Sequence, residues 1–176
     1  GPGAIRGMDS IEATVKHMSW VLAVVALLSW LMSYLLFRES RLHWFLSLHD
    51  PLTTLSNRAH FLTLLKEHCY QANVKRQVLS LCLLDIQRFN EVNDLFGYQN
   101  GDALLQGFGR ILRLRFGKSA LISRTGGSEF ALLIPQHEVT TLLPAVLKEL
   151  DLFLREYDPA HRVYLCCGVS SYPEQC

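Results

Sequence analysis

The chain has 176 residues, and its 17 lysines and arginines nearly balance its 16 aspartates and glutamates, which leaves a formal net charge of +1. This length accommodates one domain of ordinary size and a flanking element, but not two full domains. The near-neutral charge provides no broad basic surface, so nucleic-acid binding is not expected. The five cysteines form no C-x-x-C pair and no zinc-site spacing with histidine, which favours reduced thiols over a disulfide framework.

A run of twenty uncharged residues, MSWVLAVVALLSWLMSYLLF at 18–37, is long enough to cross a bilayer about 30 Å thick as a helix. The run exceeds the apolar stretch of a usual signal peptide and no small-residue cleavage site follows it, whereas a buried core helix stays open as an alternative. Arg38 and Arg41 come directly afterwards, which favours a cytoplasmic C-terminal side. Residues 1–17 are interpreted as an N-terminal tail, whose start, GPGAIRG, is typical of an expression remnant or the end of an upstream segment.

A helical stalk is predicted at 38–49, where helix breakers are few and apolar residues recur. These apolar residues are Leu42, Phe45 and Leu46. The stalk should end at Asp50-Pro51, because the residue before a proline disfavours the helical conformation. Asn57 is then a candidate N-cap of a further helix. The inward face of that helix would carry Phe61, Leu62, Leu65 and Cys69.

Three segments are predicted to form strands. The run VLSLCLLD at 78–85 is almost continuously apolar and ends in an acid, which is typical of a central strand buried on both faces. Segments 119–123 and 129–135 flank a glycine pair and predict two antiparallel strands joined by a turn. Residues 162–168 alternate apolar side chains with others, which indicates a last strand.

Two more helices are predicted between and after these strands. Asp102 is the candidate N-cap of the first, and Pro144 fits the first turn of the second. The apolar stripes are Leu104, Leu105, Phe108, Ile111 and Leu112 in the first, and Leu142, Leu143, Val146, Leu147, Leu150 and Phe153 in the second. The order of helices and strands predicts an α/β or α+β fold, with helices packed on a sheet.

Acidic and amide side chains occur where the predicted strands end or begin. Asp85 closes the apolar strand, Asn93, Asp94 and Asp102 follow it, and Glu129 begins the strand after the glycine pair. Carboxylates at a strand end and on a neighbouring hairpin can hold Mg²⁺, which prefers oxygen ligands and keeps waters for a phosphate. Taken alone, each acid is more often a strand terminator or a helix cap, and the glycine pair needs only a turn.

Three sequence blocks considered together are more specific. They are DPLTTLSNRAHF at 50–61, LLDIQRFNEVNDLFGYQNGDALL at 83–105 and SRTGGSEFALLIP at 123–135. In order and spacing they resemble the GGDEF family, the bacterial cyclic di-GMP signalling domain, with the signature changed to GGSEF. The resemblance implies a palm-like fold, with a central antiparallel sheet related to nucleotidyl cyclases and polymerase palms. It also implies a substrate, GTP, two molecules of which condense into cyclic di-GMP across a homodimer.

The resemblance implies a role for several single residues. Asp85 matches the metal-binding aspartate, assisted by the carbonyl of Ile86, and Glu129 matches the catalytic glutamate of the signature. Asn93 and Asp102 match the residues that recognise guanine, for which an amide and a carboxylate offer suitable donors and acceptors. The positions that match phosphate and backbone contacts are Phe89, Asn90, Gly126 and Gly127.

Departures from the family pattern bear directly on activity. Ser128 occupies the position of an acid that ligates Mg²⁺, so the site lacks one negative charge needed to hold two divalent ions. Asn90 replaces a common phosphate-facing lysine, and Gln87 replaces a common aspartate with a lesser expected consequence. Residues 117–120 read GKSA, so the inhibitory RxxD motif is not evident.

We therefore expect 50–176 to be a catalytically impaired GGDEF domain, incomplete at its C-terminal end, with weak or absent Mg²⁺ binding. It would act as a GTP-binding or dimerising regulatory module of a single-pass protein of the bacterial inner membrane, with the domain in the cytoplasm. Family habit adds an EAL phosphodiesterase domain as a downstream partner. Two alternatives stay open: an active diguanylate cyclase, and a structural dimerisation scaffold that binds no nucleotide.

Overall fold

The computed structural model describes the backbone of residues 2–173. Side chains are described for 11–41, 43–44 and 47–173. The three apolar residues of the predicted stalk, Leu42, Phe45 and Leu46, therefore lie outside the described side chains. The chain divides into two compact units, Gly1–Phe45 and Leu46–Cys176, which are described separately below.

One long helix, α1, covers Pro2–Leu48. It begins upstream of the predicted span at 18–37, and it continues through most of the predicted stalk. Its stretch Ile11–Arg41 contains an 18-residue window with a mean hydropathy of 2.2, and its side chains are exposed, so it is long and apolar enough to cross a membrane. The exposure of these side chains differs from what a buried core helix would show. The helix ends just before Asp50-Pro51, as the restricted backbone there predicts.

The second unit contains a four-stranded antiparallel sheet. Its strands are β1 (Leu79–Gln87), β2 (Leu121–Arg124), β3 (Glu129–Pro135) and β4 (Tyr164–Tyr172). In space they lie in the order β2-β3-β1-β4, so the apolar strand β1 is central, as predicted. Asp85 near the end of β1 is aligned with Glu129 of β3 on one side and with Cys166 of β4 on the other.

Helices pack on this sheet and enclose the core. They are α2 (Arg58–Lys75), α3 (Phe89–Phe96), α4 (Tyr98–Phe116), α5 (Gln136–Thr141) and α6 (Leu143–Tyr157). The fully buried side chains Leu84, Phe108, Phe130 and Leu150 come from β1, α4, β3 and α6, and the rings of Phe108 and Phe130 are 4.9 Å apart. Each such side chain contributes about 1.5–3 kcal/mol through removal from water. The α/β fold expected from the sequence is thereby confirmed.

Local signals at the ends of α2 and α6 were interpreted correctly. The Asn57 side chain accepts a hydrogen bond from the N–H of His60, as an N-cap does. Pro144 lies in the first turn of α6, where a missing N–H costs nothing. The predicted inward face of α2 is wrong at Leu62, which is exposed, while Phe61 is buried.

Two other sequence expectations are also wrong. The strand β1 is buried on one face only: Leu84 points into the core, whereas the neighbouring Leu83 is 54% exposed. The reason is that α4 and α6 supply the core on one side of the sheet, and the described residues cover the other side incompletely. Asp102 does not cap α4, because the chain turns at Gly97 with φ +84° and the helix begins at Tyr98. Helices α3 and α5 were not predicted.

Candidate functional site

A cavity of about 480 Å³ opens where β1 ends and α3 begins. It brings together eight of the residues that the sequence predicts at the site. They are Asp85, Ile86, Phe89, Asn90, Asn93, Asp102, Gly127 and Ser128. Four further lining residues are Gln87, Arg88, Leu105 and Arg124. The sequence blocks that lie far apart in the chain thus meet at one polar site.

The carboxylate of Asp85 is held by two neutral donors. The hydroxyl of Ser128 donates to its Oδ1 at 2.8 Å, and the amide of Gln87 donates to its Oδ2. The N–H of Ile86 donates to the carbonyl of Ser128 at 3.2 Å, which fastens the hairpin to the end of β1. The sequence predicted only a minor effect of Gln87 on activity. The structure shows that Gln87 is a direct hydrogen-bond partner of Asp85.

These residues do not fit a pair of magnesium ions. A site for two Mg²⁺ needs several anionic oxygen ligands, and both oxygens of Asp85 are engaged by neutral side chains. Within the described part of the chain, no three His, Cys, Asp or Glu side chains form a group that could hold a metal ion.

The two residues that match guanine recognition lie on different helices and line the same cavity. Asn93 comes from α3 and Asp102 from the second turn of α4. Neither side chain makes a hydrogen bond among the residues that the structure describes, so both can bond a ligand. Gly101 permits this arrangement: a Cβ at that position would collide with Oδ1 of Asn93 and lie 3.1 Å from the Phe89 ring. The sequence analysis did not identify Gly101.

Two residues that were predicted at the site lie beside it. Glu129 is exposed and does not line the main cavity, although it is aligned with Asp85 across the sheet. Together with Asp85 it lines a smaller neighbouring cavity of about 160 Å³. Gly126 also lies outside the main cavity and faces Glu129, since a Cβ there would be 2.9 Å from Oε2 of Glu129. The glycine therefore leaves room for the carboxylate.

Arg124 is a site residue that the sequence analysis missed. Its Nε and Nη2 donate to the carbonyl of Gly127 at 3.0 and 2.8 Å, and its Nη1 pairs with Oδ1 of Asp50 at 3.0 Å. Burial alone would raise the pKa of Asp50, but hydrogen bonds from the hydroxyl and N–H of Thr53 and the charge of Arg124 hold it below its ordinary value. Arg124 thus joins the segment that follows α1 to the tip of the glycine hairpin.

Apart from Arg124, Arg88 is the basic side chain among the described residues that line the cavity. Arg88, in the left-handed region at φ 62°, precedes α3 and forms an ion pair with Glu91. The Arg88 side chain is exposed and Glu91 is partly exposed, so the pair contributes little to stability. Asn90, at the position of a common lysine in the family pattern, is exposed and uncharged.

Comparisons with known proteins agree on one domain type. The family model described as "Diguanylate cyclase, GGDEF domain" matches residues 47–175. Diguanylate cyclase TpbB of Pseudomonas aeruginosa is 40% identical over 86 residues, which are 49% of this chain and 20% of that protein. Diguanylate cyclase DgcM of Escherichia coli K12 is 38% identical over 95 residues, 54% of this chain and 23% of that protein. The matched part thus spans about a fifth of the length of these relatives.

A solved structure has the same fold. The coiled coil and GGDEF domain of DgcB from Caulobacter crescentus, in complex with c-di-GMP, superimposes with a TM-score of 0.67 at 22% identity. The likeness covers 81% of this chain and 78% of that one. At this identity the comparison supports the fold alone.

Proposed function

Since the chain belongs to the GGDEF family of diguanylate cyclase domains, we propose that it is a catalytically impaired member that binds GTP and regulates or dimerises a cyclic di-GMP signalling protein. The observation that supports this is the pairing of Asp85 with the neutral donors Ser128 and Gln87. Condensation of two GTP molecules into cyclic di-GMP with release of two pyrophosphates requires stabilisation of charge on the phosphates. The carboxylate missing at position 128 removes one of the anionic ligands that would hold the metal ions for this task.

The protein is proposed to lie in the bacterial inner membrane, with α1 as its single span here and the GGDEF domain in the cytoplasm. Support for the span comes from the length and hydropathy of Ile11–Arg41. Support for the orientation comes from Arg38 and Arg41 at its C-terminal end. A homodimer and a downstream EAL phosphodiesterase domain are the proposed partners, and no nucleic acid is proposed.

Product formation tests the impairment. The full chain in detergent is incubated with GTP and excess Mg²⁺, and cyclic di-GMP is quantified by mass spectrometry. We expect no product above background from the chain and a gain from the double variant Ser128→Asp with Gln87→Asp, which restores two acids. Arg155→Ala, an exposed substitution on α6, is the matched control. Clear turnover by the unaltered chain that Asp85→Ala abolishes would contradict the proposal.

An active diguanylate cyclase is the second candidate. It is favoured by the names of the relatives and by the alignment of Asp85 with Glu129 across β1 and β3. In that case both carboxylates would bind metal from the two neighbouring cavities. The same assay separates the two candidates when it is repeated with Glu129→Gln. An active enzyme would lose its product with this variant, whereas an impaired module makes no product in either form.

A further inference from the structure

The charges around the main cavity are largely balanced within the protein. Asp85 accepts hydrogen bonds on both carboxylate oxygens. Arg124 uses its Nη1 on Asp50 and its other two nitrogens, Nε and Nη2, on a backbone carbonyl, and its side chain is only 15% exposed. Of the ionic side chains that line the cavity, Asp102 and Arg88 are left to bind a ligand, and Arg88 must first leave its exposed pair.

This balance is unfavourable to a polyphosphate. A triphosphate brings several negative charges into a cavity that already contains the carboxylates of Asp85 and Asp102. Like charges within a few ångströms repel each other, and a neutral asparagine at position 90 does not offset them. One arginine, Arg88, can contact one phosphate group. Phosphates beyond the first therefore gain little from the described residues.

The guanine base, at the opposite end of the nucleotide, fits the polar side chains of the cavity better than the phosphates do. The carboxylate of Asp102 can accept from the ring N–H and the exocyclic amine of guanine, which adenine does not present together. The amide of Asn93 can donate to the guanine carbonyl oxygen. Gly101 leaves the space that the Asn93 side chain occupies against α4, so Asn93 and Asp102 can face one ligand in the same cavity.

We infer that the cavity binds guanine nucleotides through the base and without a divalent cation, so that GMP is as good a ligand as GTP. This inference rests on the proposed nucleotide-binding function and specifies its ligand class. In a site built around magnesium, the metal contributes much of the affinity for a triphosphate. Here Ser128 supplies no second carboxylate beside Asp85, and the described residues contain no group of three His, Cys, Asp or Glu side chains that could hold the ion.

Calorimetry with defined nucleotides tests the inference. The full chain in detergent is titrated with GMP, GDP and GTP in excess EDTA, and with GTP in excess Mg²⁺. We expect the four Kd values to agree within about threefold, and AMP to give no heat at the same concentrations. GTP with Mg²⁺ that binds more than about tenfold tighter than GMP in EDTA would overturn the inference.

The nucleotide affinities of two variants are expected to differ from those of a metal-dependent site. Asp102→Asn should weaken all three guanine nucleotides by a common factor of about ten. Asp85→Asn should strengthen GTP binding in EDTA, because it removes a negative charge from the cavity, and a weaker affinity would count against the inference. If no guanine nucleotide binds, both the proposed nucleotide binding and this inference fail. If GTP binds only with Mg²⁺, the inference alone fails.

Discussion

Removal of the Arg124 side chain should destabilise the globular unit by about 2 kcal/mol. The side chains of Arg124 and Asp50 are 15% and 16% exposed, so their pair lies between an exposed pair, at about 0–1 kcal/mol, and a buried one, at about 3–5 kcal/mol. Asp50 keeps its hydrogen bonds from the hydroxyl and N–H of Thr53, which moderates the loss. The carbonyl of Gly127 is exposed and can bond water instead.

The free energy of unfolding of Arg124→Ala is measured by urea titration with pulse proteolysis, on the full chain in detergent. Arg155→Ala is the control, because Arg155 and Asp151 form an exposed pair that should contribute less than about 0.5 kcal/mol. If Arg124→Ala costs no more than this control, the link between the segment after α1 and the hairpin is not a stabilising one.

The same variant has a pH signature. The pKa of Asp50 is lowered in the folded chain, so its contribution to stability is present above the ordinary value of 3.8 and is lost as the pH falls through the lowered folded pKa. Arg124 is one cause of the lowering. Its removal should raise this pKa, and the stability difference between the variant and the unaltered chain should shrink as the pH falls below that ordinary value.

Three further changes probe other parts of the domain. Gly101→Ala should displace Asn93 and lower guanine-nucleotide affinity by about tenfold in calorimetry, whereas Gly168→Ala, with nothing within 4 Å of the added carbon, should not. Asp158→Ala should cost about 2–3 kcal/mol in urea unfolding, because this 3% exposed carboxylate accepts from two backbone N–H groups; a cost below about 1 kcal/mol would contradict the burial argument. Burial and the neighbouring Cys167 raise the pKa of Cys82 to about 12, so iodoacetamide at neutral pH should modify the exposed Cys166 of β4 and leave Cys82 unmodified in mass spectrometry unless the domain unfolds.

The sequence indicated the elements of the fold wherever the signal was local. Asn57 caps α2, Pro144 begins α6, and the apolar run at β1 is the central strand. The start of α4 was placed at the wrong residue, because Asp102 has the chemistry of a cap while the positive φ of Gly97 determines where the helix begins. Nothing in the residue types before α4 distinguishes these two possibilities without the backbone angles.

Local sequence patterns do not identify contacts between residues that lie far apart in the chain. Arg124 and Asp50 are 74 positions apart, and their pairing depends on how the segment after α1 lies against β2. There the N–H of Arg124 and the hydroxyl of Ser123 both donate to the carbonyl of Ser56. The hydrogen bond from Ser128 to Asp85 similarly requires the hairpin to close on β1. Residue types alone suggested a lost metal ligand at position 128, but not the neutral partner that replaced it.

The two neutral residues beside Asp85 are best understood as a joint change. An acid at position 87 or 128 next to Asp85 would place two like charges close together, which a bound cation or a proton on one carboxylate would have to offset. With Gln87 and Ser128 in those positions, the charge of Asp85 is satisfied by hydrogen bonds and the hairpin closes without an ion. The link from Asp50 through Arg124 to Gly127 does not involve these residues. The hydrogen bonds to Asp85 and the link through Arg124 can therefore hold the hairpin against β1 and against the segment that follows α1 without an ion.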